Sequence, residues 1–287
     1  MGQTTRTVRI AATTIALLSM VWGFRLMLFT HLPDVFSSEI EDMSYGWYVP
    51  LFSLYVLWTE RRRIAESAGE STLAGLPLIL VAFLFSFLGA RGSQIRFEIV
   101  GFVLMLMGIV WTQFGARTMR ATAFPILFLL FCLPLHSFLD IITIHLRMLA
   151  VSTAHFILTG CGADVIRTGT MLTSSTGSFA IDVAEPCSGL RSIFALTALT
   201  AGYAYFNQPT WTRRAVLFAS SVPLAVIGNV ARILSITMTA AFFDAEFATG
   251  FYHDYSGYIV FIIAIALMLA VSKAIDKVWG MGRKSEK

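Results

Sequence analysis

Cysteine is scarce: the 287-residue chain has three, Cys132, Cys161 and Cys187, an odd number with no CxxC pair, which excludes a disulfide framework. Charge is scarce too. Asp, Glu, Lys and Arg make up 13% of the residues against 56% apolar, and the mean hydropathy of +0.74 lies far outside ordinary soluble composition. The net charge of +4 and pI near 9.1 do not indicate a nucleic-acid partner, because the 21 Lys and Arg are scattered between hydrophobic blocks instead of forming one face. Repeats, low-complexity tracts and long linkers are missing as well. Residues 1–287 therefore read as a single integral membrane domain with no separate soluble domain.

What is present is a series of apolar blocks, each about long enough to cross a hydrocarbon core of roughly 30 Å. The expected fold is an all-α polytopic membrane protein of about eight transmembrane helices, near 10–30, 46–60, 73–90, 97–115, 121–135, 189–206, 214–242 and 255–273. The first block follows Arg6 and Arg9 like a signal peptide, but its length, Trp22 and Arg25 make it a retained span. The stretch 136–160 is apolar, yet Asp140, His145, Arg147 and His155 interrupt it while Leu139, Ile142 and Leu146 recur at helical spacing. That pattern predicts an amphipathic helix lying at the outer interface. Beyond it, Phe179, Ile181 and Val183 alternate with Ala180 and Asp182 after a Ser175–Gly177 turn, which predicts a small β element between the fifth and sixth helices.

Charge sets the orientation. Arg6, Arg9, Arg61, Arg62, Arg63, Arg117, Arg120, Arg213, Arg214, Lys273, Lys277, Arg283, Lys284 and Lys287 fall on alternate connections, and acidic clusters such as Asp34–Asp42 fall on the others. Basic residues near span ends are retained on the cytoplasmic side. Both termini of this plasma-membrane protein are expected in the cytoplasm, with the β element on the outer face.

Three places hold side chains that a passive membrane protein rarely puts there. The first is Glu185-Pro186-Cys187-Ser188-Gly189-Leu190-Arg191-Ser192, where Pro186 predicts a helix start close to Cys187. Unpaired N–H groups at a helix N-terminus favour the thiolate, the nucleophilic form. Glu185 opposes this unless it points away, and Arg191, one turn beyond Cys187, is positioned to pair with Glu185 or Asp182. The second is Gly228-Asn229-Val230-Ala231-Arg232, inside the seventh block, where Asn229 and Arg232 share a helix face. An intramembrane arginine costs roughly 2.5 to 3.5 kcal/mol on insertion scales, so it faces a polar cavity or a partner. The third is His253, just before the eighth helix, able to serve as a general base or as the ion-pair partner of a thiolate. Each has a structural alternative: a Cys at a helix cap, an interhelical ion pair or snorkelling guanidinium, an ordinary loop histidine. The common factor is that all three are assigned independently to the outer face. Cys132 lies in an apolar run and reads as packing, while Cys161 with His155 lacks a second ligand pair at zinc spacing, so no metal and no cofactor are expected.

The Cys-Ser-Gly-Leu-Arg-Ser run, the Asn-Val-Ala-Arg element of the next helix and the His before the last helix, in that order, resemble the exosortase/archaeosortase family of membrane cysteine transpeptidases. Tyr45-Gly46-Trp47-Tyr48-Val49-Pro50-Leu51 is also similar to that family's second span. The resemblance implies that Cys187 is the nucleophile, Arg232 an essential cation and His253 the base or acid, with Asn229, Glu185, Ser188 and Arg191 in support. It further implies a substrate class: exported proteins bearing a C-terminal sorting signal made of a short Pro-containing motif, one membrane helix and a basic tail. Such a signal, with its basic end inside, presents its motif at the outer bilayer surface. Two rival functions use the same residues differently. In a secondary transporter Arg232 and Asn229 bind an anionic solute and Cys187 is incidental; in a thiol-dependent membrane acyltransferase Cys187 carries an acyl group.

Overall fold

The computed structural model describes residues 3–38, 43–177, 179–182, 190–242 and 245–285. They form a helical membrane protein with one small sheet, and the chain divides into two compact units, Met1–Leu135 and His136–Lys287. Among the described residues four helices are long and apolar enough to cross a membrane, or five if a bent pair near the N-terminus is one span. The count of eight is therefore not met on length and composition, and the departures have local causes.

In the first unit, α1 (Gln3–Gly23) is followed by a π-helical turn, Met27–His31, and by α2 (Leu32–Ser37). The expected straight span over 10–30 is thus a pair bent by 59°. A π turn widens the helix by one residue, and Pro33 in the first turn of α2 cannot donate back to it. The block at 46–60 becomes a short 3₁₀ turn, Ser44–Trp47, and α3 (Tyr48–Thr59). Twelve residues of α3 rise about 18 Å, which is less than a hydrocarbon core. After α4 (Arg61–Glu66) and a loop, α5 (Leu76–Gly92) pairs with the long α6 (Ile95–Phe128). The block at 97–115 and the first half of the block at 121–135 fall within α6, whose helical course is broken at Gly115, with φ 81° and ψ 174°. No polar loop separates them: Arg117 and Arg120 belong to helical backbone beyond that break.

Small residues hold the α5–α6 seam. A Cβ at Gly75 would stand 2.6 Å from the Gly108 carbonyl oxygen and 2.8 Å from the Thr112 nitrogen, so the two backbones touch there. Gly89, Gly101 and Gly108 make similar approaches, as small residues do between membrane helices. Leu80, Phe83, Leu84 and Phe87 point outward and are exposed, the arrangement expected of a surface solvated by lipid. The other half of α6 is tied to α3 and to the turn after α4, where the Ser53 hydroxyl donates to the Pro125 carbonyl at 2.5 Å and Thr118 donates to the Ser67 carbonyl at 2.9 Å.

The second unit opens with α7 (His136–Gly160). Ala150, Val151, Ala154 and Leu158 form its inner stripe at helical spacing, and Leu149 and Phe156 lie on the exposed side. Three antiparallel strands follow, β1 (Val165–Thr168), β2 (Met171–Ser174) and β3 (Ala180–Asp182), in the order β1-β2-β3. The alternation expected from the sequence is present, since Phe179 and Ile181 are buried and Ala180 and Asp182 exposed; Val183 lies outside the described residues. Gly177 takes a φ of 72° in the turn before β3, a conformation glycine adopts without steric cost.

Three long helices complete this unit: α8 (Leu190–Asn207), α9 (Trp211–Phe242) and, after the short α10 (Ala245–Thr249), α11 (Phe251–Ser285). Their polar contacts fix the register. Thr197 and Ser221 hydroxyls meet at 3.1 Å, Thr200 donates to the Met268 sulfur at 3.2 Å, and Gln208 donates to Ser272 at 2.9 Å. Hence α8 runs antiparallel to α9 and parallel to α11. Two cores share α9. Leu217, Leu224 and Ala225 pack with Leu196 of α8 and Ala264 and Met268 of α11, whereas Ile233, Ile236 and Ala240 pack with α7 and the sheet.

Candidate active site

Arg232 stands where α9 leaves one core and enters the other. Gly228, one turn earlier, brings α9 close to α11: a Cβ there would lie 3.2 Å from Val260. On the same face the Arg232 Nε–H donates to the Ser256 hydroxyl at 3.3 Å, and the guanidinium lies alongside Gly257, 3.6 Å from where a Cβ would be. Ser256 is buried. The arginine thus has a polar anchor in the opening turns of α11, which offsets part of the cost of a guanidinium inside an apolar block. Ser235 caps the local backbone, its hydroxyl donating to the Arg232 carbonyl at 2.8 Å. Asn229 lies one turn before Arg232 and is half-buried.

His253 belongs to helix and not to the loop expected for it. α11 begins at Phe251, four residues before the apolar block, so the His253 backbone occupies its first turn; the side chain lies outside the described set. Positions 253, 256 and 257 share one helix face by their spacing of three and four. Sequence reading missed Ser256 and Gly257, although that spacing from His253 was a usable signal.

Glu185, Cys187 and Ser188 lie outside the described residues, and so does the side chain of Arg191, whose backbone is in the first turn of α8. Seven residues separate Thr197 from Leu190 and Ser221 from Gly228, so the first residue of α8 stands at about the height of Gly228 on antiparallel α9. The site residues brought together within the described set are therefore Arg232, Ser256 and Gly257, with Asn229 one turn before Arg232 on α9.

At the opposite ends of the same helices Arg213 is buried. Its Nη1 lies 3.5 Å from Asp276 and its guanidinium lies over the Trp279 ring at 5.9 Å. Of the two free cysteines described, Cys132 is buried and Cys161 exposed. Among the described residues no group of three His, Cys, Asp or Glu side chains could hold a metal, and the His155 Nε2 lies 3.0 Å from the Val165 carbonyl oxygen.

Residues 37–270 match the family model of the transmembrane exosortases. The chain belongs to that family. No curated protein and no solved structure matches it. The matched region contains both the 183–189 segment and the Arg232–Ser256 contact, together with the Tyr45-Gly46-Trp47 motif of the first unit. In that motif Gly46 is packed so closely on the Phe36 ring that a Cβ would overlap it, and Tyr45 is pushed to a higher pKa by burial and then by the neighbouring Cys132. Both are packing features.

Proposed function

We propose that this exosortase is a cysteine peptidase or transpeptidase that cleaves C-terminal sorting signals of exported proteins through a thioester on Cys187. His253 takes the Cys187 proton, or holds an imidazolium beside the thiolate, which attacks the peptide carbonyl next to the recognition motif. His253 then protonates the leaving amine, and Arg232 stabilises the oxyanion; such a donor contributes about 2.7 to 4 kcal/mol. An incoming amine completes transpeptidation and water completes hydrolysis. Asn229, Glu185, Ser188 and Arg191 shape the pocket. Both termini are cytoplasmic, α7 lies along the outer interface, and the pocket opens on the outer face, where a membrane-anchored signal presents its short motif.

The observation that carries this reading is Arg232, a guanidinium inside an apolar helix, held against Ser256 one turn after the position of His253, in a chain of the exosortase family. Two facts support Cys187 as the third member: it precedes Leu190 by three residues, and Leu190 stands near the height of Gly228.

The test is co-expression with a signal-bearing protein, comparing its processing in wild type, Cys187→Ala, Arg232→Ala and His253→Ala. All three variants should lose the product, and mass spectrometry of a trapped intermediate should find peptide on Cys187. A fatty acyl group there would assign an acyltransferase. Unchanged processing in all three, or a solute flux that survives Cys187→Ala, would reject the assigned chemistry.

A further inference from the structure

A connected polar cluster that the chemistry at Arg232 does not use lies where α8 ends, α9 begins and α11 nears its end. Gln208 and Arg213 are its buried members, 1% and 7% exposed. The Gln208 amide nitrogen donates to Ser272 at 2.9 Å, while its Oε1 is enclosed and accepts no hydrogen bond. Arg213 has Asp276 at 3.5 Å from Nη1, and its Nε is enclosed with no partner. Ser272, Asp276 and Trp279 recur at spacings of four and three, so one face of α11 meets Gln208 and Arg213 and puts the Trp279 ring 5.9 Å from the guanidinium. Arg214 closes the cluster from α9: its Nε donates to the Gln208 carbonyl at 2.8 Å, and its guanidinium lies over the Tyr205 ring at 5.1 Å. An unmet donor and an unmet acceptor therefore share one set of contacts.

Buried polar groups in folded proteins almost always have partners, so this pair calls for a ligand with an oxygen for the arginine and a hydroxyl for the glutamine. Water has both, but it does not answer the charge. Arg213, Arg214 and the exposed Lys273 and Lys277 stand against a single carboxylate, Asp276. The surroundings point to a lipid. Trp211 is 80% exposed, Phe206 and Trp279 are exposed beside it, and exposed Val216, Phe218 and Val278 continue the apolar surface along the same helices. Aromatic rings of this kind lie at headgroup depth, and clustered basic residues there attract anionic headgroups. We propose that the cluster binds the headgroup of an anionic phospholipid bearing a hydroxyl, of the phosphatidylglycerol type. Its phosphodiester lies on Arg213, a fork suited to two-oxygen anions, with Arg214 and Lys273 adding charge, and its headgroup hydroxyl donates to the Gln208 Oε1. The proposal does not rest on the peptidase reading, whose residues lie at the other ends of these helices.

The test is native mass spectrometry of the full chain, released from detergent micelles titrated with phosphatidylglycerol, phosphatidylethanol or phosphatidylcholine. Phosphatidylethanol has the same charge as phosphatidylglycerol and no hydroxyl. The wild type should retain one phosphatidylglycerol about tenfold more tightly than phosphatidylcholine, the scale of one charge-assisted contact, and about threefold more tightly than phosphatidylethanol. Arg213→Gln should bring phosphatidylglycerol down to the phosphatidylcholine level with phosphatidylcholine retention unchanged, which also reports a folded chain. Should that variant fail to fold, Gln208→Leu should bring phosphatidylglycerol down to the phosphatidylethanol level only. Equal retention of the three lipids by the wild type would leave the cluster to water and overturn the proposal. So would a phosphatidylglycerol preference that survives Arg213→Gln, or one that Gln208→Leu leaves undiminished over phosphatidylethanol. Displacement of the bound lipid by millimolar glycerol 3-phosphate would assign the site to a soluble phosphate and overturn it as well.

Discussion

Arg232 and Ser256 meet across the α9–α11 seam, Nε–H to hydroxyl at 3.3 Å, and this contact fixes where the guanidinium lies along α11. Under the proposed chemistry Ser256 acts only through the arginine, as a positioning residue. Ser256→Ala should lower processing of a co-expressed signal-bearing protein by about tenfold, consistent with the loss of a hydrogen bond to a charged group. The melting temperature should stay nearly constant, and Ser256→Thr, which keeps the hydroxyl, should restore activity. A purely structural serine would instead change melting and activity together.

Gly75 and Gly23 give a matched pair for stability. Gly75→Ala drives a Cβ into the Gly108 carbonyl and the Thr112 backbone, neither of which can step aside, whereas nothing lies within 4 Å of a Cβ at Gly23. Overpacking of this kind costs about 1–3 kcal/mol, while alanine replacing glycine in a helix gains up to about 1 kcal/mol. Thermal denaturation in detergent should therefore fall for Gly75→Ala and hold or rise for Gly23→Ala.

The Arg213–Asp276 pair joins a buried cation to a half-exposed carboxylate. Asp276→Asn should destabilise by about 1–3 kcal/mol, between the ranges for exposed and buried pairs. The loss should change little between low and high salt, because the arginine end is shielded from counter-ions. Melting curves at two ionic strengths measure it.

Cys161 and Cys132 test the orientation without involving the proposed nucleophile. In a Cys187→Ser background a membrane-impermeant maleimide should label exposed Cys161 on intact spheroplasts and reach buried Cys132 only after denaturation. Labelling of Cys161 solely after lysis would put the α7–β1 connection in the cytoplasm.

Hydropathy and spacing made much of this architecture legible, because they report transfer free energy and side-chain periodicity directly. The extents of α8 and α9 and the in-out alternation of Phe179, Ala180, Ile181 and Asp182 follow from those two quantities. Backbone continuity does not. The π turn at Met27–His31, the left-handed Gly115 within α6 and the early start of α11 at Phe251 depend on local geometry and neighbouring contacts that a hydropathy window averages away. At the site, Arg232 was conspicuous as a charge in an apolar block, while Ser256 was hidden because a serine near a helix start is unexceptional until its neighbour is known. Arg213 was read as one more cytoplasmic charge; its partner Asp276 is 63 residues away, beyond the reach of any local pattern.

Arg213 and Arg232 are nineteen positions apart on α9, a rise of about 28 Å, and each is engaged with α11, one by Asp276 and the other by Ser256. A helix pinned at two heights to the same neighbour cannot move like a piston along it without breaking both attachments. Any widening that admits a polypeptide must instead flex the stretch between the pins, and Pro223, where one rung of the hydrogen-bond ladder is already missing, is the natural elbow.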